Sequence, residues 1–227
     1  MTDWFKFEKK DIDFPFYNKN PYISKGGWII LFIALIMGFL FTIGDGVLSA
    51  LISCLIIVIP VLYFLKWDYK TIFQKPTLKE VGLALALFVG YMIYSVVIGL
   101  VLEQVGISPS GVADMAVNFM IYPQLIFSMM TEEFIKFIPF IFFMRVIYKY
   151  TENRKAAIIV SMTIVMLVFG MLHADSWIML IYAILVQGLG SIFEFYGYIK
   201  TKNMLIPYIT HLAIDAFIMS MIIFGIF

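Results

Sequence analysis

Charge is scarce in this 227-residue sequence: Asp, Glu, Lys and Arg together make up 14% of it, against roughly 25% in ordinary soluble domains. With 63% apolar residues and a mean hydropathy of +0.98, the chain has too little polar surface to cover a globule. A water-soluble fold is excluded, and lipid must be the solvent. Cysteine is almost absent, and the single thiol, Cys54, lies in an apolar run, which excludes a disulfide framework and a secreted scaffold built on one. A net charge of +1 leaves no basic footprint for nucleic acid. The first 25 residues lack the continuous apolar core of a signal peptide. They are expected to stay on the mature protein as a cytoplasmic segment, residues 1–25. That segment reads either as a plain tail or as one seated at the headgroup level by Trp4, Phe5, Phe7, Phe14, Phe16, Tyr17 and Tyr22.

Long apolar runs supply what the charges do not. Candidate spanning helices cover residues 28–43, 47–64, 81–102, 124–147, 156–173, 177–199 and 204–227. The first two form a tight hairpin through Gly44, Asp45 and Gly46. Residues 108–122, interrupted by Pro109, Gly111, Asp114 and Asn118, read as a re-entrant or interfacial piece leading into the fourth span. Basic residues occur only in alternate connections. Lysines precede the first span, Lys66, Lys70, Lys75 and Lys79 follow the second, Arg145, Lys149, Arg154 and Lys155 follow the fourth, and Lys200 and Lys202 follow the sixth. The positive-inside rule then places the N-terminus in the cytoplasm and, after seven crossings, the C-terminus outside. The expectation is an all-α, multi-pass cell-membrane helix bundle of about seven transmembrane helices. It forms a single transmembrane domain, residues 26–227, whose span-borne ionisable residues fall over about 124–227.

An ionisable side chain near the bilayer centre costs at least ~2.5–3.5 kcal/mol, so each one inside a span is a candidate site residue. The fourth span carries Thr131, Glu132, Glu133 and Lys136; the fifth ends in Phe169 and His173; the sixth holds Glu194; the seventh holds His211 and Asp215. Lys136 lies one turn from both glutamates, an arrangement that lowers the cost of inserting them. His211 and Asp215 share a helix face, so Asp215 is placed to fix the tautomer of the His211 ring. Glu194 reads as structural, snorkelling or paired with a lysine, and Gly188, Gly190 and Ser191 as small residues that let helices approach closely. Asp175 and Ser176 end the fifth span.

Carboxylates and imidazoles held together in an apolar setting suit a site that activates water for hydrolysis, with or without a metal. Three other readings stand beside it: an interhelical polar clamp, a proton- or ion-coupled transporter, and a non-catalytic membrane protein that works by binding, such as a bacteriocin-immunity or scaffold protein. No internal repeat relates the two halves, which counts against the transporter. Counting 1.5 Å per residue from the nearest basic residue puts Glu132 about 20 Å, His173 about 27 Å and His211 about 14 Å from the cytoplasmic side. By that count the three do not meet in straight helices, and kinking at Pro139 and Pro207, tilt or looser helix ends must bring them together.

The order Glu132-Glu133, then Phe169-Gly-Met-Leu-His173, then His211-Leu-Ala-Ile-Asp215 resembles the CPBP family. These are the CAAX proteases and bacteriocin-processing enzymes, also called the Abi family, which includes type II CAAX prenyl endopeptidases. That family shows a Glu-Glu pair on one helix, Phe-x-x-x-His at the end of the next, and His-x-x-x-Asn or Asp two helices on. Two positions depart from it. Phe137 stands where the family usually has Arg, with Lys136 just before it, which is similar to the Glu-Glu-x-x-Lys of PrsW-type proteases. Asp215 stands where the prenyl endopeptidases have Asn. The resemblance implies an intramembrane endopeptidase with Glu132 as the base that activates water, His173 as its partner and Glu133 in support. It assigns His211 and Asp215 to stabilising the oxyanion or orienting its donor. Cofactors are either none or a zinc held by His173, His211 and a carboxylate. The implied partners are the lipid bilayer and a peptide or membrane-protein substrate, a prenylated protein or a leader peptide among them.

Overall fold

The computed structural model describes residues 7–9, 12–18, 20–107, 118–174 and 176–226. Among these the chain is all-helical, with seven long helices: α1 (Lys25–Thr42), α2 (Val47–Phe64), α3 (Leu78–Gln104), α4 (Ile121–Thr151), α5 (Arg154–Leu172), α6 (Trp177–Thr201) and α7 (Leu205–Ile223). Six are long and apolar enough to cross a membrane. The seventh, α4, is more charged because it carries Glu132, Glu133, Lys136, Arg145 and Lys149, yet its 31 residues span about 46 Å at 1.5 Å per residue. The protein is a multi-pass membrane helix bundle. Asp175 and residues 108–117, most of the interrupted piece, lie outside the described residues.

Polar residues just ahead of the apolar runs start the helices. Ser24 accepts from the Gly27 N–H and Asn153 from the Ala156 N–H, while Thr77 and Glu80 form a reciprocal capping box at the start of α3. Pro207 is the third residue of α7, where a missing N–H breaks no intrahelical bond. At the α1–α2 turn Gly46 takes φ +90°, a conformation an L side chain rarely adopts. Farther along this hairpin Ser53 donates to the Gly38 carbonyl at 2.7 Å, so α2 and α1 meet with no buried hydroxyl left idle.

The buried helix is α4. It packs against α1, α2, α5 and α7, and Phe134, Ile138, Phe140, Ile141 and Met144 along it are fully enclosed. The outer helices turn Ile29, Ile33, Ile36 and Leu40 of α1, and Val89, Ile93, Val96 and Leu100 of α3, outward. In a bilayer such faces contact lipid tails rather than water.

The basic connections gather at one end of the bundle. Arg145 donates to the Phe16 carbonyl at 3.0 Å, Met204 N–H to the Ile72 carbonyl at 2.8 Å, and the Asn203 amide to the Gln74 carbonyl at 2.8 Å. The segment before α1, the α2–α3 connection and the α6–α7 connection therefore share a side, as the alternation of lysines requires of seven crossings. Three of the aromatics of the N-terminal segment are enclosed by protein, while Tyr22 stays exposed and Trp4 and Phe5 lie outside the described residues. Phe14, Phe16 and Tyr17 are buried in protein, Phe14 against Phe140 and Tyr198 and Phe16 against Trp28. These aromatics find a dry pocket under the bundle end, which removes more apolar surface from water than the interface can.

An ion cluster locks this segment in place. Glu8 Oε1 accepts from Arg154 at 2.7 Å and from the Lys202 ammonium at 3.0 Å; Asp13 also pairs with Arg154 at 2.8 Å. Burial pushes the Glu8 carboxyl up, but hydrogen bonds from Arg154 and Lys202 outweigh it and hold the group below its ordinary value of 4.5. Burial pulls Lys202 down to about 8, against Glu8. A carboxyl lowered on folding stabilises fully above pH 4.5 and loses that contribution as the pH falls through its folded value. Lys202 and Arg154 are protonated in both folded and unfolded chains there, so they add no change on the acid side. Glu8→Gln is accordingly expected to cost about 2 kcal/mol and to expose the N-terminal segment to added protease in reconstituted vesicles at pH 7. The wild type resists at pH 7 and becomes sensitive on acidification through the lowered range of Glu8, beneath 4.5; equal sensitivity of both at pH 7 would contradict the lock.

Candidate active site

Consecutive residues on a helix point about 100° apart, and α4 uses this to give Glu132 and Glu133 separate surroundings. The Glu132 side chain, 23% exposed, faces the end of α5 and α7, with its Oε2 at 3.7 Å from His173 Nε2 and 3.7 Å from His211 Nε2. The Glu133 side chain, 4% exposed, turns into the bundle toward Lys136 and His211. The three residues that residue counting sets at different depths thus meet.

Hydrogen bonds set the orientation of both imidazoles. His173 caps α5, and its Nδ1 lies 2.8 Å from the Phe169 carbonyl. A carbonyl only accepts, so Nδ1–H donates and Nε2 is the atom turned to Glu132. His211 Nδ1 lies 2.8 Å from Glu133 Oε1 and donates to it, again leaving Nε2 toward Glu132. Lys136 Nζ is 3.4 Å from the same Nδ1; both atoms are donors, and Glu133 is the acceptor they share. The Phe169 ring packs edge-on against both imidazoles, with centroids 4.5 Å from His173 and 6.4 Å from His211, and Lys136 lies over it at 4.7 Å. Phe169 therefore carries one backbone contact and three ring contacts of the site, which accounts for its place four residues ahead of His173.

The expected role of Asp215 needs correction. Its Oδ2 stays 4.0 Å from His211 Nε2, beyond hydrogen-bonding distance. The tautomer of His211 is fixed instead by Glu133 across the helix interface, because the ring is turned toward α4. Asp215 remains in the site as a wall residue of its cavity.

Lys136 does not neutralise Glu132. It pairs with Glu133 at 2.5 Å and with Glu194 of α6, both buried. Glu194, Glu133 and His211 offer ligand atoms within 4.8 Å of one another, a spacing that would suit a metal ion. The Lys136 ammonium touches all three, so that cluster already holds a cation supplied by the chain. Of the two readings of Glu194, snorkelling or pairing with a lysine, the structure shows the second; the lysine is Lys136, 58 residues away in sequence, where no local spacing rule reaches.

Two cavities meet at Glu132, Phe169 and His173. One, about 260 Å³, is bounded by Phe39, Thr42 and Ile43 from the α1 end and by Leu172. The other, about 230 Å³, is bounded by His211 and Asp215 of α7, Tyr91 of α3, and Gln187 and Glu194 of α6. Gln187 and Tyr91 carry no charge and are not part of a motif, so sequence reasoning passed over both. In α6 the backbone is π-helical over Ala183–Gly188 and 3-10 over Leu189–Ser191, between α-helical ends. The close approach expected of Gly188 is present: a Cβ there would lie 2.6 Å from the Met166 carbonyl oxygen, and one on Gly170 would lie 2.7 Å from the Ile184 Cα. These glycines let α5 and α6 touch backbone to backbone, which fixes Gln187 relative to Phe169 and His173.

No curated protein and no solved structure matches the chain. Residues 121–217 match the family model described as "Type II CAAX prenyl endopeptidase Rce1-like". The matched stretch holds Glu132, Glu133, His173, His211 and Asp215, so the part of the chain that builds this site is similar to the type II CAAX prenyl endopeptidase members of the CPBP family that its motifs resemble.

Proposed function

We propose that this protein is an intramembrane endopeptidase in which Glu132 activates water to hydrolyse a peptide bond of a peptide or membrane-protein substrate. The observation that carries this reading is the convergence of Glu132 with the Nε2 atoms of His173 and His211 at 3.7 Å each, on the wall between two cavities. A gap of that length is too long for a direct hydrogen bond and suits a water oxygen placed between the groups. Glu132 takes a proton as the water oxygen bonds to the substrate carbonyl carbon. The carbonyl π pair moves onto its oxygen, giving a tetrahedral oxyanion. When that collapses, the C–N bond breaks and Glu132 returns the proton to the leaving amine. His173 Nε2 accepts a hydrogen bond from the water, and His211, held by Glu133, turns its Nε2 to the same point. The cytoplasmic placement of the basic end, from the positive-inside rule, puts the chemistry within the membrane and well below that face.

The test compares membrane and secreted peptides from native cells carrying the wild-type protein or Glu132→Ala at matched expression and insertion. Peptides that vanish with the substitution support proteolysis and define the cut site; an unchanged set overturns it in favour of a binding or transport role. The same assay separates a metal-free site from a zinc site. Cleavage that survives exhaustive chelation supports Glu132 acting with the protein's own groups. Loss of cleavage that zinc restores assigns a metal to His173 and His211.

A further inference from the structure

We propose that the side-chain amide of Gln187 is the neutral hydrogen-bond donor to the carbonyl oxygen of the bond being hydrolysed. The inference rests on the endopeptidase reading above and adds a catalytic residue to it.

Addition of water to a peptide carbonyl needs a donor aimed at the oxygen that becomes negative, and such donors contribute most when desolvated and fixed in advance. The polar residues around the α3–α6–α7 side of the cavity leave few candidates. Glu132, Glu194 and Asp215 are carboxyl groups, and an ionised carboxylate only accepts. His173 and His211 have committed their Nδ1–H groups to Phe169 and Glu133 and turn Nε2 to Glu132. Lys136 is held by Glu133 and Glu194. Gln187 and Tyr91 remain as uncharged donors on the cavity wall.

Two observations single out Gln187. Its Oε1 is buried and has no hydrogen-bond partner among the described residues. A carboxamide oxygen left idle in this way costs about 1–3 kcal/mol, and native structures keep such groups mainly where a function uses them. With the oxygen enclosed in protein, the NH₂ end of the carboxamide is the group left to face the cavity that Gln187 lines. The second observation is the backbone. Gln187 lies inside the π-helical turn Ala183–Gly188, and a π turn re-aims the side chains it contains and recurs at functional sites. This one is fixed from both sides: Tyr94 donates to the Leu185 carbonyl at 2.6 Å, and Gly188 abuts the α5 backbone at Met166 and Gly170. The amide is thus presented by a rigid element.

The test uses full-length protein in detergent and a fluorescence-quenched peptide carrying the Glu132-dependent cut site. Gln187→Met keeps the side chain's length and removes its donor. It is expected to lower kcat about 10²–10³-fold with KM within about threefold and thermal unfolding unchanged. Gln187→Leu gives the same result where the Met variant does not accumulate. Asp215→Asn in the Gln187→Met background is expected to recover at least about tenfold, since it puts a carboxamide donor back into the same cavity. Gln187→Met with kcat within threefold of wild type, while Glu132→Gln is inactive, overturns the inference and leaves the endopeptidase reading standing. A loss confined to KM, or a comparable kcat loss in Tyr91→Phe with none in Gln187→Met, overturns it as well. If no Glu132-dependent cut site exists, both fall together.

Discussion

Glu132→Gln is expected to lower turnover of a purified, Glu132-dependent peptide by about 10³-fold while leaving thermal unfolding in detergent where it was. Its neighbour is expected to do the reverse. Glu132 sits at a cavity wall with its carboxylate 3.7 Å from either imidazole, so an isosteric amide leaves no buried group newly unpaired. What it removes is the capacity to accept a proton from water. Glu133 accepts from His211 Nδ1 at 2.8 Å and from the Lys136 ammonium, and its side chain is 4% exposed. Glu133→Gln keeps the volume but removes the charge both donors need, at a cost of about 3 kcal/mol, with a partial loss of turnover because His211 is no longer held. Measured side by side, kcat separates the two roles and the unfolding temperature separates them in the opposite order. An active, destabilised Glu132→Gln together with a stable, inactive Glu133→Gln would reverse the assignment.

Most of the scaffold was legible because it is written in apolar runs. The boundaries 47–64 and 177–199 against Val47–Phe64 and Trp177–Thr201 differ by at most two residues, since Gly46, Ser176 and the basic ends mark them. The composition of the site was legible too, because ionisable side chains in spans are costly and therefore few. Its partnerships were not. That His211 turns to Glu133 and not to Asp215 depends on a side-chain rotamer and on the facing helix, neither of which the i, i+4 spacing contains. The Lys136–Glu194 contact is long-range. Gln187 was missed for two reasons: it carries no charge to stand out against an apolar background, and the π turn breaks the 3.6-residue period by which faces of α6 are read. The burial of Phe14, Phe16 and Tyr17 was not legible because interface seating and burial beneath the bundle end require the same composition; the difference lies in Glu8 meeting Arg154 and Lys202.

The largest stability effect expected of a single substitution in this protein is that of Lys136→Met. Its ammonium contacts Glu133 and Glu194 together, and all three side chains are at most 5% exposed. Removing one member of a buried ionic set costs about 3–5 kcal/mol, because the charges left behind have neither water nor a partner. Glu133 loses the ammonium that fixes it and holds His211 less firmly. Turnover falls with stability as a result. The cost belongs to the stranded charges and not to the missing attraction, so it should be reversible by removing a second charge. Lys136→Met combined with Glu194→Leu leaves Glu133 paired with His211 and fills the vacated space with apolar volume, and it is expected to recover most of the lost stability. Lys136→Arg keeps the charge but carries a planar guanidinium into a site built around a compact ammonium, and it is expected to fall between wild type and Lys136→Met. Unfolding free energies of these three variants and of Glu194→Leu alone, in mixed micelles, provide the check. Additive losses in the double variant would mean that Lys136 and Glu194 act independently, and the buried ion set would then not be the element that holds His211 in register with Glu132.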